Sequence, residues 1–377
     1  MEPIRVLYVN GGVMHRGGIE SYMMNYYRNL DRSKIQIDFI VHGFQKGNYD
    51  DEIKSMGGRI YHVPVKSKNY IGNIRALRKV FSDNNYQIIH SHMDAMSYLV
   101  LKEAKKYGIP VRIAHSHNTN HLTNNKIKLL LNEHARKNIG KYCTHQFACS
   151  YAAGNWLFGE KAVNEEKVIL ARNAIEIDRF IFNDSIRKEL REKLEVDDKF
   201  VIGHIGRMDY QKNHQYLLDI FAEVVRKNEN SVLLLIGSGH LENEIKDRVN
   251  ELQLKNHVRF MGLIDNVNEY LNALDVMVFP SHFEGLPVTL IEAQINSLMS
   301  IVSSNITTEV EISDRIKFID LNQSPEYWAN IVLDFKEKQR VRYSKSEFAD
   351  YDIEKQVKIL EDFYLNISRS QEMKRMP

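Results

Sequence analysis

Short apolar runs separated by longer stretches of helical spacing recur twice along the 377 residues. In the first half the runs fall at 4–9, 35–41, 59–63, 88–90, 111–114 and 147–150, with a shorter one at 168–170. The second half restarts the pattern at 200–205, 231–236, 257–260, 275–279 and 300–303. Alternation of this kind predicts parallel α/β sheets wrapped by helices, one in each half. At 172–178 a strand-like run has ended and no helical period has begun. That break predicts two α/β domains, 1–172 and 173–352, each of ordinary domain size. Residues 186–196 read as a charged helix, 353–367 as a helix with an apolar face, and 373–377 as a frayed tail.

Composition adds mainly exclusions. With 43% hydrophobic residues, 27% charged residues and a formal charge of +2, the chain has no basic field to draw nucleic acid, and no nucleic-acid partner is expected. Its only cysteines, Cys143 and Cys149, make no disulfide framework and favour a reducing, cytoplasmic compartment. No apolar run reaches the length of a bilayer, and Met1 leads almost directly into the first strand, so neither a span nor a signal peptide is expected. Two basic stretches, 66–80 and 125–141, interleave Ile71, Ile74 and Leu77, and Leu129 to Leu131, with their cations. Either is a solvated face or a surface for the inner leaflet of the cell membrane.

The candidate chemistry clusters where strands give way to helices. After the run at 275–279, Pro280, Gly285 and Pro287 punctuate a loop, and Pro287 suits the first turn of the next helix. Backbone N–H groups around Gly285, Leu286, Pro287 and Val288 then offer an anion site, with Glu284 beside it and Glu292 further along the helix. Gly206 and Arg207 end the first strand of the second half and Lys212 follows; two cations there can neutralise a diphosphate. Gly11, Gly12, Gly17 and Gly18 flank His15 and Arg16 after the very first strand, a turn that permits close backbone approach without the spacing of a dinucleotide fingerprint. His90 and His92, and His115 and His117, each end a strand, where alternate residues share a face; a metal pair is one reading, and a core or capping role is the default for His90. Asp350 and Asp352 spell an acidic metal motif but stand just before the last helix, where they read as its cap.

The spacing Glu284-x7-Glu292 within PSHFEGLP…EA resembles the signature of retaining glycosyltransferases of the GT-B fold, family 4, in their polysaccharide-assembly branch. Gly206-Arg207-x4-Lys212, the GG…GGIE turn, the segment RIAHSHNT, Arg172-Asn173-Ala174-Ile175, Ala148-Cys149-Ser150 and Ser324-Pro325-Glu326 extend the resemblance over nearly the whole chain. It implies two Rossmann-like domains facing a central cleft, with the C-terminal helix (353–377) returning to the first. It also implies roles: Glu284 on the donor sugar, the backbone of Gly285, Leu286, Pro287 and Val288 with Gly206 and Gly18 on the diphosphate, and Glu292 on the ribose. Arg207 and Lys212 would ease departure of the diphosphate, His117 would contact the sugar in the transition state, and Gly17, His15 and His92 would lie on the acceptor side. The expected donor is a nucleotide sugar, UDP-linked, and the acceptor a saccharide or lipid-linked sugar; no cofactor and no metal are expected. Rival readings are a nucleotide-sugar epimerase of the same fold, a non-catalytic nucleotide-sugar-binding subunit, and a His-x-His metal hydrolase. The chain departs from the family after Gln294, where Asn296-Ser297-Leu298-Met299 replaces a turn containing Gly then Pro.

Overall fold

The computed structural model describes residues 2–121, 123, 125–336 and 340–373, so most of the tail at 373–377 lies outside the described residues. The chain forms two compact units, 1–174 with 350–377, and 175–349. In the first unit the strands are β1 (Ile4–Asn10), β2 (Ile35–His42), β3 (Ile60–Val63), β4 (Ile88–Ser91), β5 (Val111–Ser116), β6 (His145–Ala148) and β7 (Val168–Leu170). They make one parallel sheet in the order β3-β2-β1-β4-β5-β6-β7. All eight residues of β2 are buried, as expected where helices cover both faces of a sheet. The second unit holds β8 (Phe200–Ile205), β9 (Ser231–Ile236), β10 (Val258–Gly262), β11 (Val276–Phe279), β12 (Met299–Ser303) and β13 (Ile316–Ile319), in the order β10-β9-β8-β11-β12-β13. Both sheets reverse their winding at one point, between β1 and β4 and between β8 and β11. In open α/β sheets, ligands bind beyond the carboxyl ends of the strands at such a point.

Local chemistry explains where expected and observed boundaries part. The run expected at 147–150 forms β6 at His145–Ala148 because the Ser150 hydroxyl instead caps the helix Tyr151–Phe158, accepting from the Ala153 N–H at 3.1 Å. The charged helix begins at Asp184 rather than 186, since Asn183 caps it through the N–H groups of Ser185 and Ile186, and it ends at Lys193. Strand β13 was not expected: it is a four-residue edge strand with Lys317 exposed, too short for an alternating pattern to stand out.

Where the family turn would carry glycine, Ser297 adopts φ +59°. Its N–H bonds the Gln294 carbonyl and the Leu298 N–H the Ala293 carbonyl, both at 2.8 Å, which is a Schellman stop for the helix Val288–Ile295. The left-handed geometry costs Ser297 some strain, offset by its hydroxyl accepting the Val341 N–H at 3.0 Å. The path into β12 is therefore kept without glycine.

The C-terminal helix runs Ile353–Met373, longer than the 353–367 read from its apolar face, and packs on the first sheet. Ile353, Val357, Leu360 and Tyr364 are buried at helical spacing, and Asp352 accepts the Glu354 N–H at its start. The Tyr364 hydroxyl meets that of Tyr8 at 3.0 Å and His90 Nδ1 at 2.6 Å, fixing the helix against β1 and β4.

Candidate active site

In the second unit, the loops after β8 and β11 are stitched together at the reversal point. Lys212 Nζ lies 2.7 Å from Glu284 Oε1 and 4.4 Å from the centre of the Phe279 ring. Gln211 donates to Glu284 Oε2 at 3.2 Å and to the Phe283 carbonyl at 3.0 Å, Asn213 to the Pro280 carbonyl at 3.1 Å, and Tyr210 stacks on His282. Gly206 gives the lysine room: a Cβ on it would meet Lys212 Cε at 2.9 Å, so the lysine stem passes over bare backbone. Asn213, at φ +55°, turns the chain into the helix His214–Lys227. The two cations of the motif are placed differently. The Lys212 side chain is 14% exposed and paired with Glu284, whereas Arg207 is 63% exposed and reaches Asp209 at 3.2 Å. Nothing in the sequence marks Gln211 apart from its place beside Lys212.

Gly285, Leu286 and Pro287 are buried beneath the start of the helix Val288–Ile295. Pro287 occupies the N-cap, one residue before the position expected for it. Glu292 is half-buried on that helix. Burial pushes its carboxyl up to about 7, against the pull of the Arg179 guanidinium.

In the first unit, the glycine turn after β1 is built around Asn10 and Glu20. Asn10 Nδ2 donates to Glu20 Oε1 at 2.8 Å and to the carbonyls of Gly12 and Val13, both at 3.3 Å. None of Gly11, Gly12, Gly17 or Gly18 has positive φ. What Gly17 provides is room, since a Cβ on it would lie 2.3 Å from Glu20 Oε2, while Gly18 faces open space. Glu20 brings a carboxylate of the chain's own into the first turn of the helix Gly18–Asn29, where the dipole favours an anion. His15 stands apart on the surface, bonded to Asn48 Oδ1 at 2.9 Å.

Strands β4 and β5 bring four histidines together. His90 stacks on His92 with centroids 4.3 Å apart, and His115 on His117 at 4.1 Å. Across the strands His90 Nε2 meets His115 Nδ1, and His92 Nδ1 meets His117 Nε2, both at 3.0 Å. All four are buried, and burial holds His90, His92 and His115 well below the usual imidazole range and His117 down to about 3. One nitrogen each from His90, His92 and His115 falls within 4.8 Å of the others. Lone pairs lie in the ring plane, however, so near-parallel stacked rings aim theirs into separate layers. The geometry is that of a hydrogen-bonded ladder.

Asp94 completes this end of the unit. Its Oδ1 accepts the His117 N–H at 2.6 Å and the Asn118 N–H at 3.3 Å, and its Oδ2 accepts from Asn118 Nδ2 at 2.9 Å. Burial raises its carboxyl in spite of those bonds, and its backbone sits at φ +46°. The one signal for it in the sequence is a carboxylate two residues after His92, in the turn Asp94–Met96 that follows β4. Asp94→Ala should lower unfolding stability by about 2–3 kcal/mol by leaving buried donors unpaired, and Asp94→Asn, which tolerates the same backbone, by less than half as much. Urea unfolding checks this, and equal costs for the two variants would show that the oxygen contacts do not fix the loop.

Two Rossmann-like units, with charged and glycine-bearing loops at both reversal points, are the elements of a GT-B protein. Residues 186–349 match the family described as glycosyl transferases group 1, and 16–179 match glycosyltransferase family 4. The chain is 34% identical over 336 residues to a protein described as a glycosyltransferase, EpsF, of Bacillus subtilis (strain 168), covering 87% of this chain and 86% of that one. It is 27% identical over 263 residues to the UDP-Gal:alpha-D-GlcNAc-diphosphoundecaprenol alpha-1,3-galactosyltransferase of Escherichia coli, covering 65% and 66%. The fold matches the crystal structure of Anabaena HepE in complex with UDP and glucose, with a TM-score of 0.72 at 16% identity over 99% of this chain and 100% of that one. This chain belongs to the group 1, family 4 glycosyltransferases.

Proposed function

We propose that this glycosyltransferase moves a sugar, with retention, from a UDP-sugar to a saccharide or lipid-linked acceptor in cell-surface polysaccharide assembly. The observation that carries the reading is the buried Lys212–Glu284 pair over Gly206 at the reversal point of the second sheet. A cation and a carboxylate held 2.7 Å apart are poised to exchange each other for a diphosphate and a sugar hydroxyl. Lys212 and Arg207 would stabilise charge developing on the leaving diphosphate, whose oxygen can take the proton of the incoming hydroxyl on the same face. Glu284 would orient the sugar, Glu292 would hold the ribose, and His117 would contact the sugar. The galactosyltransferase relative, named for a UDP-sugar and a diphosphoundecaprenol-linked acceptor, supports both the donor and the acceptor class.

Calorimetric titration with a panel of nucleotides and nucleotide sugars in EDTA tests the donor site. Tight binding of a UDP-sugar, weakened by Glu292→Ala and by Arg207→Ala, is the expected result; no binding by any of the panel would sink the reading. A pH series adds a specific prediction. Only ionised Glu292 accepts from two ribose hydroxyls, so a carboxyl titrating at about 7 should make UDP-sugar affinity rise up to about tenfold from pH 6 to 8. Glu292→Gln should flatten that profile.

Among the described residues no helix is long and apolar enough to cross a membrane. The helix Lys126–Asn138 does expose Ile127, Leu130 and Leu131 beside Lys126 and Lys128, and the helix Tyr70–Asp83 exposes Tyr70 and Ile71. These faces suit shallow contact with the anionic inner leaflet, where a lipid-linked acceptor would be met. Failure to sediment with anionic vesicles would remove that part of the proposal.

A further inference from the structure

The histidine ladder fixes where its protons lie. Among the described residues the Nε2 atoms of His92 and His115 are buried without a hydrogen-bond partner. In native structures a buried N–H left without an acceptor is rarer than an acceptor left without a donor. A neutral ring carries one proton, so His92 and His115 place theirs on Nδ1. His115 Nδ1–H then donates to His90 Nε2, His90 Nδ1–H donates to the Tyr364 hydroxyl, and that hydroxyl donates to Tyr8. In the other rung His92 Nδ1–H donates to His117 Nε2, which must be bare to accept it, and the His117 proton is left on Nδ1.

Packing prevents His92 from escaping this role. It is 1% exposed, stacked on His90 and tilted against Tyr8 at 4.7 Å. Meanwhile the Asp94 carboxylate holds the backbone of His117. With its Nε2 engaged, His117 has only Nδ1 to offer a ligand.

We infer that His92 is a positioning residue that sets the tautomer of His117, holding it in the Nδ1–H form so that it meets an oxygen of the donor as a hydrogen-bond donor and cannot serve as a base. This rests on the proposal that His117 contacts the donor sugar. An imidazole in water prefers the opposite tautomer, so without His92 the ring would present a bare Nδ1 and lose that bond. Burial, which keeps the ring neutral, works in the same direction.

The test is a long-range proton–nitrogen correlation spectrum of the full chain carrying nitrogen-15 histidine at neutral pH, with His117 assigned by the signals lost in His117→Gln. The expected pattern for His117 is Nδ1–H in the wild type and Nε2–H in His92→Phe. With a UDP-sugar as donor, kcat/KM for His92→Phe should fall about ten- to a hundredfold, mainly in kcat. His92→Asn, whose side-chain amide can stand where Nδ1–H stood, should keep the Nδ1–H pattern and recover most of the turnover. An Nε2–H pattern in the wild type, or Nδ1–H persisting in His92→Phe, overturns the inference. If His92→Phe does not fold, the wild-type and His92→Asn spectra decide it. Absence of turnover with every nucleotide sugar would overturn the donor-sugar role instead, and the spectra would still report the tautomer.

Discussion

Lys212→Ala is expected to lower kcat/KM for sugar transfer about a hundred- to a thousandfold, the usual cost of removing one preorganised charge from a developing anion. The same substitution leaves Glu284, whose side chain is 8% exposed, without its cation. Breaking one side of a buried ion pair costs about 3–5 kcal/mol, so a large fall in melting temperature should accompany the loss of activity. The two effects can be separated. Replacing both partners by apolar residues, as in Lys212→Met with Glu284→Leu, should restore much of the stability because no charge is left buried, while activity stays lost. Steady-state kinetics beside thermal unfolding provide the check. A Lys212→Ala enzyme within threefold of wild type would show that the pair is structural and that the diphosphate is neutralised elsewhere.

Acidification to about pH 5 should unfold the protein. His90, His92, His115 and His204 are held well below the ordinary imidazole value, His117 at about 3 and His214 at about 4, in each case chiefly by burial. A depressed histidine means that the unfolded chain takes up protons that the folded chain refuses. Stability is therefore fully present above about pH 6.5 and falls as pH drops below it. At pH 5 each such ring forfeits about 2 kcal/mol. The four rings of the ladder together forfeit roughly 8 kcal/mol, comparable with the whole stability of a typical domain. Glu292 acts in the opposite sense. Its carboxyl, raised to about 7, contributes stability that is complete below about 4.5 and is lost as pH rises through 7, which offsets part of the acid effect in the second unit. Urea unfolding followed between pH 7.5 and 4.5 should show a steep acid limb. A flat curve would mean that these rings are charged or open to water in the folded protein.

The sequence by itself determined the layers and the motif. After Ser231, β9 is apolar to its end because helices cover both sheet faces, and that pattern is visible without coordinates; β2 is just as buried but carries Gln36, Asp38 and His42 among its apolar residues. Gly206, Lys212, Glu284 and Glu292 stand out in the sequence through their resemblance to a family motif, and of these the structure joins Lys212 to Glu284. Edges were less legible: β13 is short and half-exposed, and Ser297 does a glycine's work by a hydrogen bond to a residue 44 positions away.

Only the tertiary structure decided how the charges and protons are arranged. It gave Lys212 to Glu284 and left Arg207 in solvent, a distinction that depends on the fold of two loops 72 residues apart. It also joined His90 to His115 and His92 to His117, each pair 25 residues apart in the chain. Spacing places His90 with His92 and His115 with His117 on one face of a strand. Which nitrogen meets which, and therefore where each proton lies, follows from adjacent strands and from burial that removes water as a partner.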